Sequence, residues 1–456
     1  MKPRTQALLI VPIIVLLIGS VVIFNSHSFS LRTETTTDVV TDVQASTQFI
    51  TQTIQNDATR TVFFTQPPAS VTVTSTIFST TPSQTTTTES QAIQQGIDQS
   101  NSYVLVGGQN GTWFSSSQFP RLLQISISTH SIRKLNPVTG QGTVWGGGSN
   151  GSDWLISGWG ADDNSGAPNP YLYLFNGSNA LSDNIEDAAE AEWNGGDVFS
   201  ISSNGSSWFL SGMGSGVLDS YSTGASNHFS AGLFNGTVFT DLSALLPEQM
   251  DGILYSNAFG NNEWLVGGGY LGDGVLFSFN GTSFTDLTAM IASSVPEFHS
   301  IQSIAWNGKY WLIGGMGFLG MYNNSVFTDL TPELNAILPS QVLNSSYFVN
   351  SVAWNGSAWL IGGGDAVAMG TFASAAWLAS YGSAGFEDLS SALPNNTTLA
   401  NSDASVLSIA SSPEYGWLIG GYLGNSGMLL SYNFGSTTNL SGLTGDMSYV
   451  TWVGPS

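Results

Sequence analysis

The sequence predicts an all-β chain: a seven-bladed β-propeller closed by the C-terminal strand, preceded by one transmembrane helix and a Thr-rich stalk. Three observations predict it. A motif built on Trp-Leu-Ile-Gly-Gly recurs at spacings of 50, 54, 56, 47, 48 and 58 residues, the range of propeller blades. Each copy is flanked by short β-branched and aromatic runs ending in Asn-Gly turns, with no helix-period stretch. The last strand-like run matches a strand that the first repeat lacks.

Residues 1–30 read as an N-terminal membrane anchor. Lys2 and Arg4 precede the uncharged run Ala7 to Phe24. Eighteen residues at about 1.5 Å each span roughly 27 Å, enough to cross a bilayer once. A cleaved signal peptide is the alternative. Its apolar core is usually shorter, about 7–15 residues, and ends at a small-residue site; here Asn25-Ser26-His27-Ser28 follows. The positive charges lie before the span, which places the N-terminus in the cytoplasm and the rest outside.

Residues 31–98 read as an extended stalk. Between Thr33 and Thr88, 20 of 56 residues are Thr; such tracts are usually solvated spacers. Fully extended, the segment reaches roughly 220 Å. It is not a plain spacer sequence. Ser70-Val71-Thr72-Val73-Thr74 alternates, and Gln48-Phe49-Ile50 and Thr61-Val62-Phe63-Phe64 add bulk. Strands there would need partners, which another copy could supply, making a homo-oligomer through the stalk.

Residues 99–456 carry the repeats, 358 residues or about 51 per blade. The motif stands at Trp154, Trp208, Trp264, Trp311, Trp359 and Trp417, with a weaker copy from Val104. The best copy parses into four strands: Ile301–Trp306, Tyr310–Gly314, Gly320–Tyr322 and Val326–Leu330. The two-residue turn Asn307-Gly308 joins the first pair, since both residues tolerate positive φ. Tyr449–Gly454 matches Ser303–Gly308 and supplies the missing first strand, closing the ring and hiding sheet edges. The repeated Trp is expected to be inter-blade core. The Gly-Gly pair is expected to end the second strand where blades pack tightly around the axis, and to let the chain turn at no Cβ cost. The Asp of the Phe-Thr-Asp-Leu copies at Phe239, Phe284 and Phe327 is expected to bond backbone at the strand end.

The Gly-Gly pair resembles kelch propellers. The turn Ser278-Phe279-Asn280-Gly281-Thr282-Ser283-Phe284 is similar to the Asp-box hairpin of sialidase-like propellers, with Asn280 where the box carries Asp and one residue fewer. The whole unit resembles secreted repeats of archaeal surface proteins. These resemblances imply a fold more than an activity. Kelch copper oxidases need a Cys, and the chain has none. Sialidases use an arginine triad, and this domain holds only Arg121 and Arg133.

Composition excludes further classes. Charged residues make up 9% of the chain, and 31 acidic against 8 basic residues leave −23, which excludes a basic nucleic-acid footprint. Sparse charge suits an acidic exterior. Below about pH 3 most carboxylates are neutral, and the net charge moves toward the +12 of eight Lys and Arg and four His. His130, His228 and His299 fall in different blades without metal-ligand spacing, and no cofactor is expected. Asp162, Asp163 and Asn164 partly resemble a calcium loop that lacks its distal Glu. Asp183, Glu186, Asp187, Glu190 and Glu192 read as a solvated loop, and Arg121, Arg133 and Lys134 as a basic patch. Asp162, Asp163, Asp273, Asp365 and Asp403 are the loop carboxylates available to a binding site.

Twelve Asn-x-Ser/Thr sequons stand at Asn110, Asn150, Asn176, Asn204, Asn235, Asn280, Asn323, Asn344, Asn355, Asn395, Asn396 and Asn439. Seven occupy first–second or third–fourth turns, which share one face of a four-stranded blade. The long, dissimilar loops collect on the other face, where recognition usually sits. Three function classes follow. The first is an anchored extracellular glycoprotein serving adhesion, recognition or envelope structure, with a surface protein or glycan as partner. The second is a virion or filament subunit with a shared β-stem. The third is an extracellular carbohydrate-active enzyme.

Overall fold

The computed structural model divides into two compact units, Met1–Asp98 and Gln99–Ser456. In the first unit it describes residues 31–40, 50–54, 58–62 and 71–80. In the second it describes residues 103–455 except 112–118, 136–140, 162–167, 178–179, 182–192, 194–195, 215–227, 248–251, 271–272, 296–297, 344–346, 365–374, 395–402 and 434. The anchor expected over 7–24 lies outside the described residues. Among those that are described, no helix is long and apolar enough to cross a membrane.

In the first unit Leu31–Val40 pairs antiparallel with Val71–Thr80, and Ile50–Ile54 with Ala58–Val62. The alternating Thr and Val residues do form strands. The strand partners described lie within the chain.

The second unit is a β-propeller: among the described residues, seven antiparallel blades of four strands, five of them separate sheets and the sixth and seventh joined by one bridge between Gly364 and Ser405. Blade 1 pairs the C-terminal Tyr449–Pro455 with Val104–Asn110, followed by Phe119–Ser126 and Ser131–Leu135. Blade 2 is Gln141–Ser149, Trp154–Ala161, Pro168–Phe175 and Ala180–Leu181. Blade 3 is Gly196–Ser203, Trp208–Gly214, His228–Phe234 and Phe239–Asp241. Blade 4 is Ile253–Gly260, Glu263–Tyr270, Asp273–Phe279 and Phe284–Asp286. Blade 5 is Ile301–Trp306, Trp311–Gly315, Phe318–Tyr322 and Phe327–Asp329. Blade 6 is Phe348–Trp354, Trp359–Gly364, Trp377–Gly382 and Gly385–Asp388. Blade 7 is Ala404–Ser412, Gly416–Leu423, Ser426–Asn433 and Ser436–Asn439. The first strand of every blade touches the first strands of both neighbours, so the seven form a closed inner ring.

Burial explains why the strands read as continuous apolar runs. Blades are covered on both faces. Seven hydrophobic clusters form among the described residues, one at each blade junction. Successive side chains point to opposite faces: Trp359 and Ile361 enter the junction with blade 5, whereas Leu360 enters the junction with blade 7. The repeated Trp is core as expected, with Trp208, Trp264, Trp311, Trp359 and Trp417 all buried.

The tight packing expected at the Gly-Gly pair is present, but the strand neither ends nor turns there. The strand runs through both glycines. A Cβ on Gly314 would lie 2.3 Å from Val349 of the next blade, and one on Gly363 would lie 1.8 Å from the Phe348 carbonyl oxygen of its own first strand. Close approach from both sides, not a change of direction, demands glycine.

That approach goes with a bulge. Every first strand shifts register at one place, for example between Ile301 and Ser303 and between Val349 and Ser351. The residue after the bulge is Ser in five blades, and its hydroxyl accepts a backbone N–H from the first strand of the next blade. Asn257 donates to Ser200 at 3.1 Å, Ile304 to Ser256 at 3.0 Å and Val352 to Ser303 at 2.9 Å. Ile409 donates to Ser351 at 2.8 Å and Val453 to Ser408 at 3.1 Å. A first strand has no ladder partner on its inner edge, and a buried N–H there must find another acceptor. The serines provide one.

The outer end of a blade is tied in the same manner. Asp286 and Asp329 accept the N–H two residues on, at 2.8 and 2.9 Å. The hydroxyls of Thr288 and Thr331 then accept N–H groups of the third strand, each at 3.1 Å. Single helical turns follow, Thr288–Ala292 and Thr331–Asn335 among them; they are too short to leave a period in the sequence.

Ser303→Ala or Ser351→Ala strands a buried N–H and should cost about 1–3 kcal/mol. Ser206→Ala, in an exposed turn, should cost less than about 0.5 kcal/mol. Denaturant midpoints of the three variants check this ordering.

Candidate functional site

The side chain of the bulged residue differs from blade to blade. Blades 2, 3 and 4 place Trp145, Phe199 and Tyr255 there. The Trp145 ring stacks on Phe199 at 5.3 Å and 26°, and Phe199 meets Tyr255 edge-on at 5.5 Å and 75°. Blades 5, 6, 7 and 1 place Gln302, Asn350, Leu407 and Thr451 there. All but Thr451 are half-buried, between neighbours that are mostly buried. The ring thus faces the propeller axis with an aromatic arc on one side and mostly polar residues on the other. Gln302 donates to the Ser300 hydroxyl at 2.9 Å. Asn350 donates to the Ser405 hydroxyl and the Val406 carbonyl, both at 3.0 Å. No ionised side chain stands at these seven positions.

The serine latch is replaced on the aromatic side. Gly146 and Trp452 stand at its position in blades 2 and 1, and Trp452 packs edge-on against Trp154 at 5.6 Å. Departures from the repeat therefore gather in blades 1 to 4. Asp197, two residues before Phe199, is 5% exposed, and its Oδ1 has no hydrogen-bond partner among the described residues. Burial pushes its carboxyl up to about 7.

Of the loop carboxylates, Asp273 and Asp403 are among the described residues, and they do not pair with each other. Asp273 opens the third strand of blade 4 and is exposed; Asp403 precedes the first strand of blade 7 and is half-buried. Two blades separate them. Asp403 holds φ at 48° and its carbonyl accepts the Gly424 N–H at 2.7 Å. Burial raises its carboxyl. Tyr449, whose ring lies 4.9 Å from Tyr422, is pushed up to about 12 by burial and then by Asp403. Asp162, Asp163, Asn164, Asp365 and the Asp183–Glu192 run lie outside the described residues. Among those described, no three His, Asp or Glu side chains gather as metal ligands.

The basic patch expected in blade 1 is partly neutralised, because Asp446 from the far end of the chain folds onto it. Arg121 pairs with Asp446 at 2.8 Å and Lys134 at 3.8 Å. The Arg121 hydrogen bond holds the Asp446 carboxyl below its usual value. Arg133 instead borders a cavity of about 450 Å³ with Tyr103, Gln124, Ser126, Thr129 and Ile132.

Strand connectivity puts Asn150, Asn204 and Asn355 in first–second turns and Asn176, Asn235, Asn280 and Asn323 in third–fourth turns, all at one end of the blades. In six of these turns the Asn Oδ1 accepts the N–H two residues on, at 2.9 to 3.1 Å. Nδ2, the atom a glycan would join, takes no part in those bonds. Asn110 and Asn439 end a second and a fourth strand, at the opposite end. Asn344, Asn395 and Asn396 lie outside the described residues.

Sequence reasoning missed the bulged ring and its serines. The signal was there: Ser200, Ser256, Ser303 and Ser351 each stand eight residues before the repeated Trp.

No family model matches the sequence, and no curated protein matches it. The kelch and Asp-box resemblances therefore rest on the turn and glycine motifs alone. Solved structures that overlap the fold include the β-propeller domain of the Trilobed protease from Pyrococcus furiosus, 7% identical, covering 75% of this chain and 98% of that one, with a TM-score of 0.42. A protein from Lactobacillus plantarum is 9% identical over 78% of this chain and 99% of its own, TM-score 0.45. YCF48 bound to D1 peptide is 10% identical over 68% and 86%, TM-score 0.39. The ring stands on its own strand pairing; these overlaps add no residue, ligand or activity to it.

Asp197 sets a pH dependence. An unfolded aspartate titrates near 3.9, so between about pH 4 and 7 the folded chain keeps a proton that the unfolded chain has lost. The resulting stability is full below about pH 4 and is lost as pH rises through 7. Burial shifts Glu263 and Asp403 in the same direction. Thermal melts should show a domain more stable at pH 4.5 than at 7.5, and Asp197→Asn should flatten that slope by on the order of 2–4 kcal/mol.

Proposed function

We propose that the chain is a membrane-anchored extracellular glycoprotein that holds its β-propeller outside the cell for adhesion, recognition or envelope structure. The N-terminus is cytoplasmic, the stalk spaces the propeller from the membrane, and the partner is an envelope or cell-surface protein or a glycan. The observation that carries this reading is the difference between the two ends of the blades. One end holds short, uniform turns in which seven sequon asparagines are set. The other collects the dissimilar connections, such as those from Gly214 to His228 and from Gly364 to Trp377. Variable connections on a rigid scaffold are where recognition concentrates. Glycans on the tight turns would shield that end and leave the other to the partner. An acidic exterior agrees with sparse charge and with three carboxyls that burial raises.

The pairing within residues 31–80 gives no specific support to a stem shared between copies, and the separation of Asp273 from Asp403 gives none to a hydrolase. Glycopeptide mapping combined with cross-linking on intact cells tests the reading. Glycans are expected on Asn204, Asn235, Asn280 and Asn323, and cross-links on the opposite end. Bare tight-turn asparagines at the centre of the cross-linked surface would overturn it.

A further inference from the structure

The fourth strand of each blade is an outer edge, and a short edge gives a foreign strand little to pair with. In blades 3 to 7 that strand is three or four residues long. Two residues past its end, Ser243, Thr288, Thr331, Ser390 and Ser441 each accept a third-strand N–H at 3.1 or 3.2 Å. A single helical turn then carries the chain away. Blade 1 departs from this pattern. Its fourth strand, Ser131–Leu135, runs five residues, and Pro137 stands two residues past its end in place of Ser or Thr. The strand pairs on one side with Phe119–Ser126 and meets no strand on the other among the described residues. Ser131, Ile132, Arg133 and Lys134 are all exposed.

Charge decides what such an edge would accept. Residues 99–456 hold four basic residues, Arg121, Arg133, Lys134 and Lys309. Two stand side by side on this strand and Arg121 stands on the strand paired with it. Asp446 pairs with Arg121 and Lys134, one carboxylate against three cations. Arg133 donates to Gln124 at 3.4 Å and stays charged; attraction depends on that charge rather than on an unpaired donor. A second copy of Ser131–Leu135 laid alongside would set the same cations against each other, and like charges across strands are unfavourable. A strand carrying carboxylates is repelled by a chain of net charge −23 except where the basic residues gather. Beside the strand, Ile132 and Arg133 border the cavity of about 450 Å³ with Tyr103 and Gln124, room for a side chain of an added strand. We propose that the free edge of Ser131–Leu135 docks an extended acidic segment of a partner protein, which joins blade 1 as a fifth strand. Edge N–H and C=O groups would hold its backbone, and Arg133 and Lys134 would select its side chains. The site lies on the outermost strand rather than at either end of the blades, and so goes beyond the reading above.

The test titrates the full-length chain into fluorescein-labelled Thr-Val-Glu-Glu-Val-Thr, whose palindromic order sets glutamates against Arg133 and Lys134 in either strand direction. Fluorescence anisotropy should show saturable binding at about 20 mM salt and severalfold weaker binding at about 200 mM. Thr-Val-Lys-Lys-Val-Thr should bind at least tenfold more weakly. Of two acidic peptides N-methylated on alternate residues, one should lose binding and the other keep it, because only alternate amides face the edge. Arg133→Gln combined with Lys134→Gln should weaken the acidic peptide tenfold or more, and Lys309→Gln in blade 5 should leave it unchanged. Thermal melts establish that each variant is folded; if the double variant is not, Lys134→Gln alone and the N-methylated pair carry the test. Absence of binding overturns the proposal, as do equal binding of the lysine peptide, equal behaviour of the two N-methylated peptides, or binding that the folded variants leave unaltered. Binding of trigalacturonate where the acidic peptide does not bind would assign the cations to an anionic glycan and overturn it too. A failed titration leaves the glycan map and the cross-links untouched, so this proposal and the broader reading fail separately.

Discussion

A ring of sheets has one problem that a single sheet lacks. Each blade turns an edge strand toward the axis, and the N–H groups along that edge are removed from water without a ladder to join. The hydrogen bond from an inner-edge N–H to the serine of the preceding blade answers it at five of seven junctions. Much else follows. The serine reaches the neighbour because a bulge rotates it off the ladder. The bulge draws the first strand onto the second, so the second strand needs glycine there. The next blade then seats a β-branched residue over the other glycine, as Val349 sits over Gly314. Bulge, serine and glycine pair form one device repeated around the axis.

The bulge inserts one extra residue per blade, and at two of the seven positions that residue also ties neighbouring blades: Asn350 donates to Ser405 and Val406 of blade 7, and the Thr451 hydroxyl to the Val144 carbonyl of blade 2. A repeat protein can change chemistry at such positions without changing its fold. Aromatic residues concentrate in blades 2 to 4, where Trp145, Phe199 and Tyr255 pack on one another. Asp197 lies in the same strand as Phe199, and burial raises its carboxyl.

Much of this was legible in the sequence, for physical reasons. Asn-Gly turns and the Trp-Leu-Ile-Gly-Gly strands depend on local backbone and burial, so they mark each blade. The match of Tyr449–Gly454 to an inner strand announced closure by the C-terminal strand. Interactions between blades were harder to read. The glycines suggested tight packing and a turn; the packing is there, from a carbonyl and a side chain of other strands, and the turn is not. The serines recur at a fixed distance from Trp, yet their partners lie 45 to 58 residues away. Asp446 neutralises Arg121 across 325 residues, which no local pattern announces. Loop carboxylates such as Asp273 and Asp403 stood out by residue type alone, and type alone did not bring them together.

Native-state hydrogen exchange at the inner-edge amides measures the central constraint most directly. The amides of Asn257, Ile304, Val352, Ile409 and Val453 should be protected to the level of global unfolding, since each is held by the serine of the preceding blade and opens only when the ring does. The Ser303→Ala variant should lose that protection at Val352 while Ile409 keeps it. Exchange of these five amides at the rate of exposed turn amides such as Gly205 or Gly281 would contradict the account.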